Sequence, residues 1–206
     1  QVLEEIDSDK KYYILTHILP NYASRLIAEM SSDDVADFLG DLNEDGKVRI
    51  LSLVGKKEQE DIKDLLAYDR NTAGGRMTTE YIAFSKDLKA GEALNKLGEL
   101  APDAETIYYV FAVDSLGKLV GVVSLRDMIL APEQSPIEDF MQTDVKRVNT
   151  LSDQEEVVRL IKKYGFLALP VVDDDNVLLG IVTVDDAMMV VEEETTEDIF
   201  KLSGSD

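Results

Sequence analysis

The chain has 206 residues, 45% hydrophobic and 31% charged, the values of a folded protein with a real core. Its 42 acidic residues outnumber 21 basic ones, a net charge of −21, so nucleic acid and anionic lipid are poor partners and cations are the natural ligands, although such a charge also serves solubility alone. With no cysteine there are no disulfides, thiolate metal sites or cysteine nucleophiles, and a single histidine, His17, cannot build a histidine-rich transition-metal site.

Residues 1 to about 68 read as helices. The first, roughly Lys10 to Met30, is expected to break or kink at Pro20. His17 lies in its apolar run and is expected to pack or sit at the surface. Ser32-Asp33-Asp34 before Val35, Ala36, Phe38 and Leu39 predicts an N-cap with acids in the first turn. Asn43-Glu44-Asp45 opens a short helix carrying Val48, Ile50, Leu51 and Leu53, which Gly55 is expected to close. Lys56 to Ala67 is a further helix, with Ile62, Leu65 and Leu66 on one face. Helices of about ten residues joined by short turns predict stacked helical hairpins, a short superhelix. Asn71-Thr72-Ala73-Gly74-Gly75 then reads as a loop able to take unusual backbone angles, and the domain boundary is placed there.

The rest is an internal repeat. Met77-Thr78-Thr79 opens one copy and Met141-Gln142-Thr143 the other. Tyr109 to Asp114 matches Ala168 to Asp173, and Gly121-Val122-Val123-Ser124-Leu125-Arg126-Asp127 matches Gly180-Ile181-Val182-Thr183-Val184-Asp185-Asp186. Both matches share an offset of 59. Each copy reads strand, helix, strand, turn, strand, helix, the helices being Gly91 to Leu100 and Ser152 to Tyr164. Asp173-Asp174-Asp175-Asn176 predicts a hairpin turn, since Asx chemistry favours turns. The copies are expected to pair by pseudo-twofold symmetry and bury their sheet faces.

The Gly-apolar-apolar-Ser/Thr-x-x-Asp element, present twice at matched positions, resembles the turn of tandem CBS domains that often meets the ribose of an adenosine ligand. More narrowly, the whole chain resembles the cytosolic region of the MgtE magnesium-transporter family. The resemblance is carried by Leu65-Leu66-Ala67-Tyr68, Thr72-Ala73-Gly74-Gly75-Arg76-Met77-Thr78, Glu80-Tyr81, the two repeated turns and Glu193-Glu194-Thr195-Thr196-Glu197-Asp198-Ile199. It implies an α+β chain: an all-helical, superhelical N domain over 1–70, a linker over 71–76, CBS modules over 77–136 and 137–191, and the start of a connecting helix over 192–206. Gln1 as first residue predicts a fragment, with the N domain truncated at its start. No segment approaches the roughly 20 apolar residues of a membrane span, so any pore is expected outside this chain. The resemblance further implies a homodimer through the CBS domains, on the cytoplasmic side of the membrane below its own transmembrane domain.

Magnesium takes oxygen ligands in an octahedron at about 2.1 Å and usually keeps waters beside one or two carboxylates, so a regulatory site needs acids from different elements brought together. Asp185 to Asp198 holds seven acids and no basic residue. If helical, it places Glu193 and Glu197, and Glu194 and Asp198, four apart, where like charges repel unless a cation is shared; read by itself, the stretch fits a solvated helix face equally well. The resemblance makes Asp186, Glu194, Glu197 and Asp198 metal-ligand candidates, with Asp153 and Glu155 at the start of the second module's helix, where acids also suit the helix dipole. Asp34 and Asp37, with Asp33, are candidate partners from the N domain. Gly165 departs from the pattern, where some relatives carry an acid. Ser124, Arg126, Asp127 and a stacking Phe166 are the candidate nucleotide-binding set.

The expected function is therefore a Mg2+-sensing regulatory region that closes a pore at high magnesium. The alternative is a CBS-type sensor of adenine nucleotide, ATP, and the two can coexist. No nucleophile–base pair, zinc site or P-loop motif appears, so an enzyme is not expected.

Overall fold

The computed structural model describes residues 3 and 6–203, and their side chains except those of 57, 103, 197, 198 and 200–203. The chain divides into two compact units, Gln1–Arg70 and Asn71–Asp206.

The first unit is helical: α1 (Ser8–His17), α2 (Pro20–Ile27), α3 (Ser32–Gly40), α4 (Glu44–Leu51) and α5 (Lys56–Leu65). Pro20 breaks the expected long helix and starts the next, because its missing N–H costs nothing in a first turn. Leu15, Ile27, Val35, Phe38, Leu39, Ile50 and Ile62 form the core. Helices this short are stable only when packed against one another. Two boundaries differ from expectation. Ser31, not Ser32, stands at the N-cap of α3. Gly55 caps the start of α5 instead of closing α4, which ends at Leu51. The Asn43 side chain caps α4 by accepting from Gly46 N at 2.9 Å.

The second unit holds the repeat. The first copy comprises β1 (Ala83–Ser85), α6 (Ala90–Leu100), β2 (Tyr109–Val113), β3 (Leu119–Ser124) and α7 (Leu125–Leu130). The second comprises β4 (Val148–Asn149), α8 (Gln154–Tyr164), β5 (Ala168–Val172), β6 (Leu178–Thr183) and α9 (Val184–Ser203). Each forms a three-stranded sheet, in orders β1-β2-β3 and β4-β5-β6, with one parallel and one antiparallel pairing. Helix α9 runs unbroken past residue 191.

Three kinds of contact join the copies. Phe111, Leu119, Val145, Ala168, Val172, Leu178 and Ile181 make one buried cluster drawn from both sheets. The opening segment of each copy also pairs with the last strand of the other. Thr78 and Ile181 exchange backbone hydrogen bonds of 2.9 and 3.0 Å, and Val122 and Gln142 exchange bonds of 3.0 and 2.9 Å. The hairpin tips meet as well, Leu119 N donating to Asn176 O at 2.9 Å and Leu178 N to Gly117 O at 3.1 Å.

The linker is a loop built of turns, as expected, but it takes no unusual backbone angles. Neither Gly74 nor Gly75 takes a positive φ. Instead the segment lies along residues 150–154: Ala73 N donates to Ser152 O at 2.7 Å, Gly74 N to Thr150 O at 2.8 Å, and Gln154 N to Asn71 O at 2.9 Å. Thr72 makes one antiparallel bridge with Asp153, residues 73–75 form a turn, and Ala73 is fully buried.

The segment exchange explains the glycine in each repeated turn. A Cβ on Gly180 would stand 2.7 Å from the Thr78 carbonyl oxygen, an atom fixed by the exchanged pair. At Gly121 the nearest obstacle is the Met141 side chain, which can move. Gly180→Ala is therefore expected to lower stability by about 1–3 kcal/mol, and by more than Gly121→Ala, in urea unfolding of the two variants. Equal effects would show that backbone approach at Thr78 is not the constraint.

Candidate cation and nucleotide sites

Helix α8 begins where Asp153 caps it, the carboxylate accepting from Glu155 N at 2.8 Å. Acids at this end meet the positive end of the helix dipole. Helix α9 packs beside α8, and its tenth and eleventh residues, Glu193 and Glu194, come to the same place. A cavity of about 240 Å³ results, lined by Asn71, Asp153, Gln154, Glu155, Glu193 and Glu194. Three of the sequence candidates, Asp153, Glu155 and Glu194, are thus brought together although 41 positions separate the first from the last.

The cavity wall is hydrogen-bonded across elements. Gln154 is buried; its amide donates to Glu194 Oε1 at 2.7 Å, and its Oε1 accepts from Arg76 Nε at 3.0 Å. Arg76 also pairs with Glu193. Sequence reasoning assigns no role to Asn71, Gln154 or Arg76. The signal that points to them is backbone pairing of the linker with residues 150–154, which no periodicity reveals.

The carboxylate set suits a hard, partly hydrated cation such as Mg2+. Among the described residues no three acidic or histidine side chains already converge as a ligand group, so such an ion would be held by one or two carboxylates together with waters. The side chains of Glu197 and Asp198 lie outside the described residues.

The other metal candidates are spread over the fold. The Thr183 hydroxyl donates to the Asp186 carboxylate, at the start of α9. Asp34 accepts from the Ser31 hydroxyl at 3.0 Å. Asp37 pairs with Arg70 Nε at 3.2 Å, and Asp41 accepts from Arg70 Nη1 at 2.7 Å and from Ser8 Oγ at 2.6 Å. Partial burial tends to raise the Asp41 pKa, but the Ser8 and Arg70 contacts outweigh it and hold the group below the usual carboxylate range.

In the nucleotide set, the Ser124 hydroxyl donates to Asp127 Oδ2 at 2.7 Å and accepts from Asp127 N at 3.1 Å. It is the N-cap of α7, as Thr183 and Asp186 begin α9. Arg126 is exposed. Phe166 stacks on Tyr164 with centroids 5.3 Å apart and rings inclined at 21°. Gly165 between them takes φ +67° and ends α8, a left-handed cap that glycine adopts most readily. Asp173 binds Asp175 N and Val177 N, forming the expected hairpin turn.

Two three-stranded sheets related by a repeat, each closed by a hydroxyl–carboxylate turn, define a CBS pair, here following a helical domain. The model of the MgtE intracellular N domain matches residues 1–71, and that of the CBS domain matches 73–133 and 137–193. The magnesium transporter MgtE of Thermus thermophilus is 44% identical over 179 residues, covering 85% of this chain and 40% of the transporter. That of Bacillus subtilis is 36% identical over 204 residues, covering 99% and 45%. The chain thus spans less than half the length of either. Among solved structures, the cytosolic domain of the Mg2+ channel MgtE in complex with ATP matches at TM-score 0.86 and 39% identity, over 92% of this chain and 77% of that one. The soluble part of a magnesium transporter matches at TM-score 0.87 and 41% identity, over 93% and 76%. The chain belongs to the MgtE family, of which it carries the intracellular N domain and the CBS pair. Among the described residues no helix is long and apolar enough to cross a membrane.

Proposed function

We propose that this chain is the magnesium-sensing regulatory region of a membrane magnesium transporter. The observation that carries the reading is the acidic cavity where α8 and α9 meet, with carboxylates from two elements around one space. Like charges so placed repel. At 4 Å a pair of unit charges interacts by about 1 to 4 kcal/mol between bulk water and an effective dielectric near 20. Mg2+ reverses the sign of that interaction by lying between the acids. Its ligands are Glu194 with Asp153 and Glu155, then Asp186, Glu197 and Asp198 along α9, and Asp34 and Asp37 of the N domain. Filling these sites draws acidic surfaces together, and α9 transmits the change to a pore beyond this chain. High magnesium closes that pore, which is feedback control.

The active form is a homodimer joined through the CBS domains, on the cytoplasmic side of the membrane. Its support is the apolar surface of α7 and α9, where Ile129, Leu130, Met188 and Met189 are exposed. Mutual burial of such a patch is the ordinary driving force for association.

Mg2+ is expected to reduce the radius of gyration of the chain in small-angle scattering, where sodium at equal ionic strength does not. Glu194→Gln with Glu197→Gln should move the magnesium midpoint upward about threefold or more. Equal compaction by sodium would make the effect screening alone.

ATP binding is a second, compatible reading. It is favoured by the Ser124–Asp127 turn and by the ATP complex of the related MgtE domain. Asp127→Asn is expected to weaken ATP binding in calorimetry about tenfold, as loss of a charge-assisted hydrogen bond does, and to leave magnesium binding within about twofold. Undetectable ATP binding to the unaltered chain would remove this reading.

A further inference from the structure

Arg76 ends the linker that lies against the second CBS module, and its side chain is only 11% exposed. The guanidinium pairs with Glu193 of α9, and Nε donates to Gln154 Oε1 at 3.0 Å. Gln154, itself 5% exposed, passes the contact on by donating to Glu194 Oε1 at 2.7 Å. Arg76 therefore reaches one acid of the cavity directly and a second through a single amide. The acid-rich stretch of α9 has no base of its own between Asp185 and Asp198. Its counter-charge comes from 117 positions earlier in the chain.

We infer that Arg76 is a built-in counter-cation of the acidic cavity, and that it sets the divalent-cation concentration at which the cavity fills. The inference rests on the cation-binding reading of that cavity. A guanidinium stays charged at every physiological pH, so this occupant cannot be titrated away. A divalent cation entering beside Glu193 and Glu194 either displaces Arg76 from Glu193 or remains near it. Both routes oppose binding, the first by breaking an ion pair and the second by repulsion between like charges. The same contacts join linker, α8 and α9 without any metal, so the acids of α9 stay docked at low magnesium despite their mutual repulsion. Arg76 thus weakens each binding event while keeping the cavity assembled for it.

The test is calorimetric titration of the full chain with MgCl2 at fixed ionic strength, for the unaltered protein, Arg76→Met and Arg76→Lys. Arg76→Met is expected to bind Mg2+ about three- to tenfold more tightly, while Arg76→Lys, which keeps the charge, stays within about twofold of the unaltered chain. Equal affinity of Arg76→Met and the unaltered chain overturns the inference and leaves the cation reading of the cavity standing. Weaker binding by an Arg76→Met protein with an unchanged melting curve overturns it too, since Arg76 would then be only a support. If none of the three binds Mg2+, the inference and the cation reading fall together. Should Arg76→Met not fold, the unaltered protein decides alone: the Arg76 Nε–H resonance should move in a magnesium titration with the calorimetric midpoint. A resonance that stays in place to saturation overturns the inference.

Discussion

The exchange of short segments between the two CBS modules is the constraint on which the second unit depends. Thr78 is stitched to Ile181 and Gln142 to Val122, each by a reciprocal pair of backbone hydrogen bonds. The buried cluster from Phe111 to Ile181 touches both stitches, holding Ile181 of one and packing against Val122 of the other. The two sheets bury one face of each in this shared cluster. Paired, they fix the last strand of each copy, and with it the hydroxyl–carboxylate turn that follows. Because β6 is fixed, α9 must leave it in one direction, and that direction carries Glu193 and Glu194 to the start of α8.

Acids gathered in this way cost stability, and the fold offsets part of the cost locally. Asp153 caps α8, so one carboxylate is satisfied by backbone N–H. Gln154 bridges Arg76 and Glu194 with both ends of its amide. What remains is an open space with carboxylate oxygens on two sides, a better place for a hydrated divalent cation than for a desolvated one. The CBS turns are different in kind. Ser124 and Asp127 already satisfy one another, so a nucleotide there would compete with an intact cap.

Much of the fold was legible in the sequence because it repeats. One offset relating Gly121 to Gly180 and Asp127 to Asp186 identifies both sheets and both turns at once. Pro20 marks a helix break through its missing N–H, and Asn43 a cap through its side chain. Glycine was the weaker guide. Gly55 begins a helix where it was expected to end one, and Gly74 and Gly75 lie in ordinary backbone, since glycine permits a conformation without requiring it. The candidate acids were legible as a list but not as a site. Asp153, Glu155 and Glu194 share a cavity, while Asp37 is paired with Arg70. Arg76 was invisible as a partner because its contact with Glu193 spans 117 residues and follows no local pattern.

The central claim is that the space between the start of α8 and the acids of α9 takes a divalent cation. Crystals grown with Mn2+, an oxygen-seeking stand-in for Mg2+, allow the ion to be located by its anomalous scattering. The account requires a peak in the cavity lined by Asp153, Glu155 and Glu194, lost when Mn2+ is omitted. Ordered Mn2+ elsewhere on the chain, with none in that cavity, would contradict it.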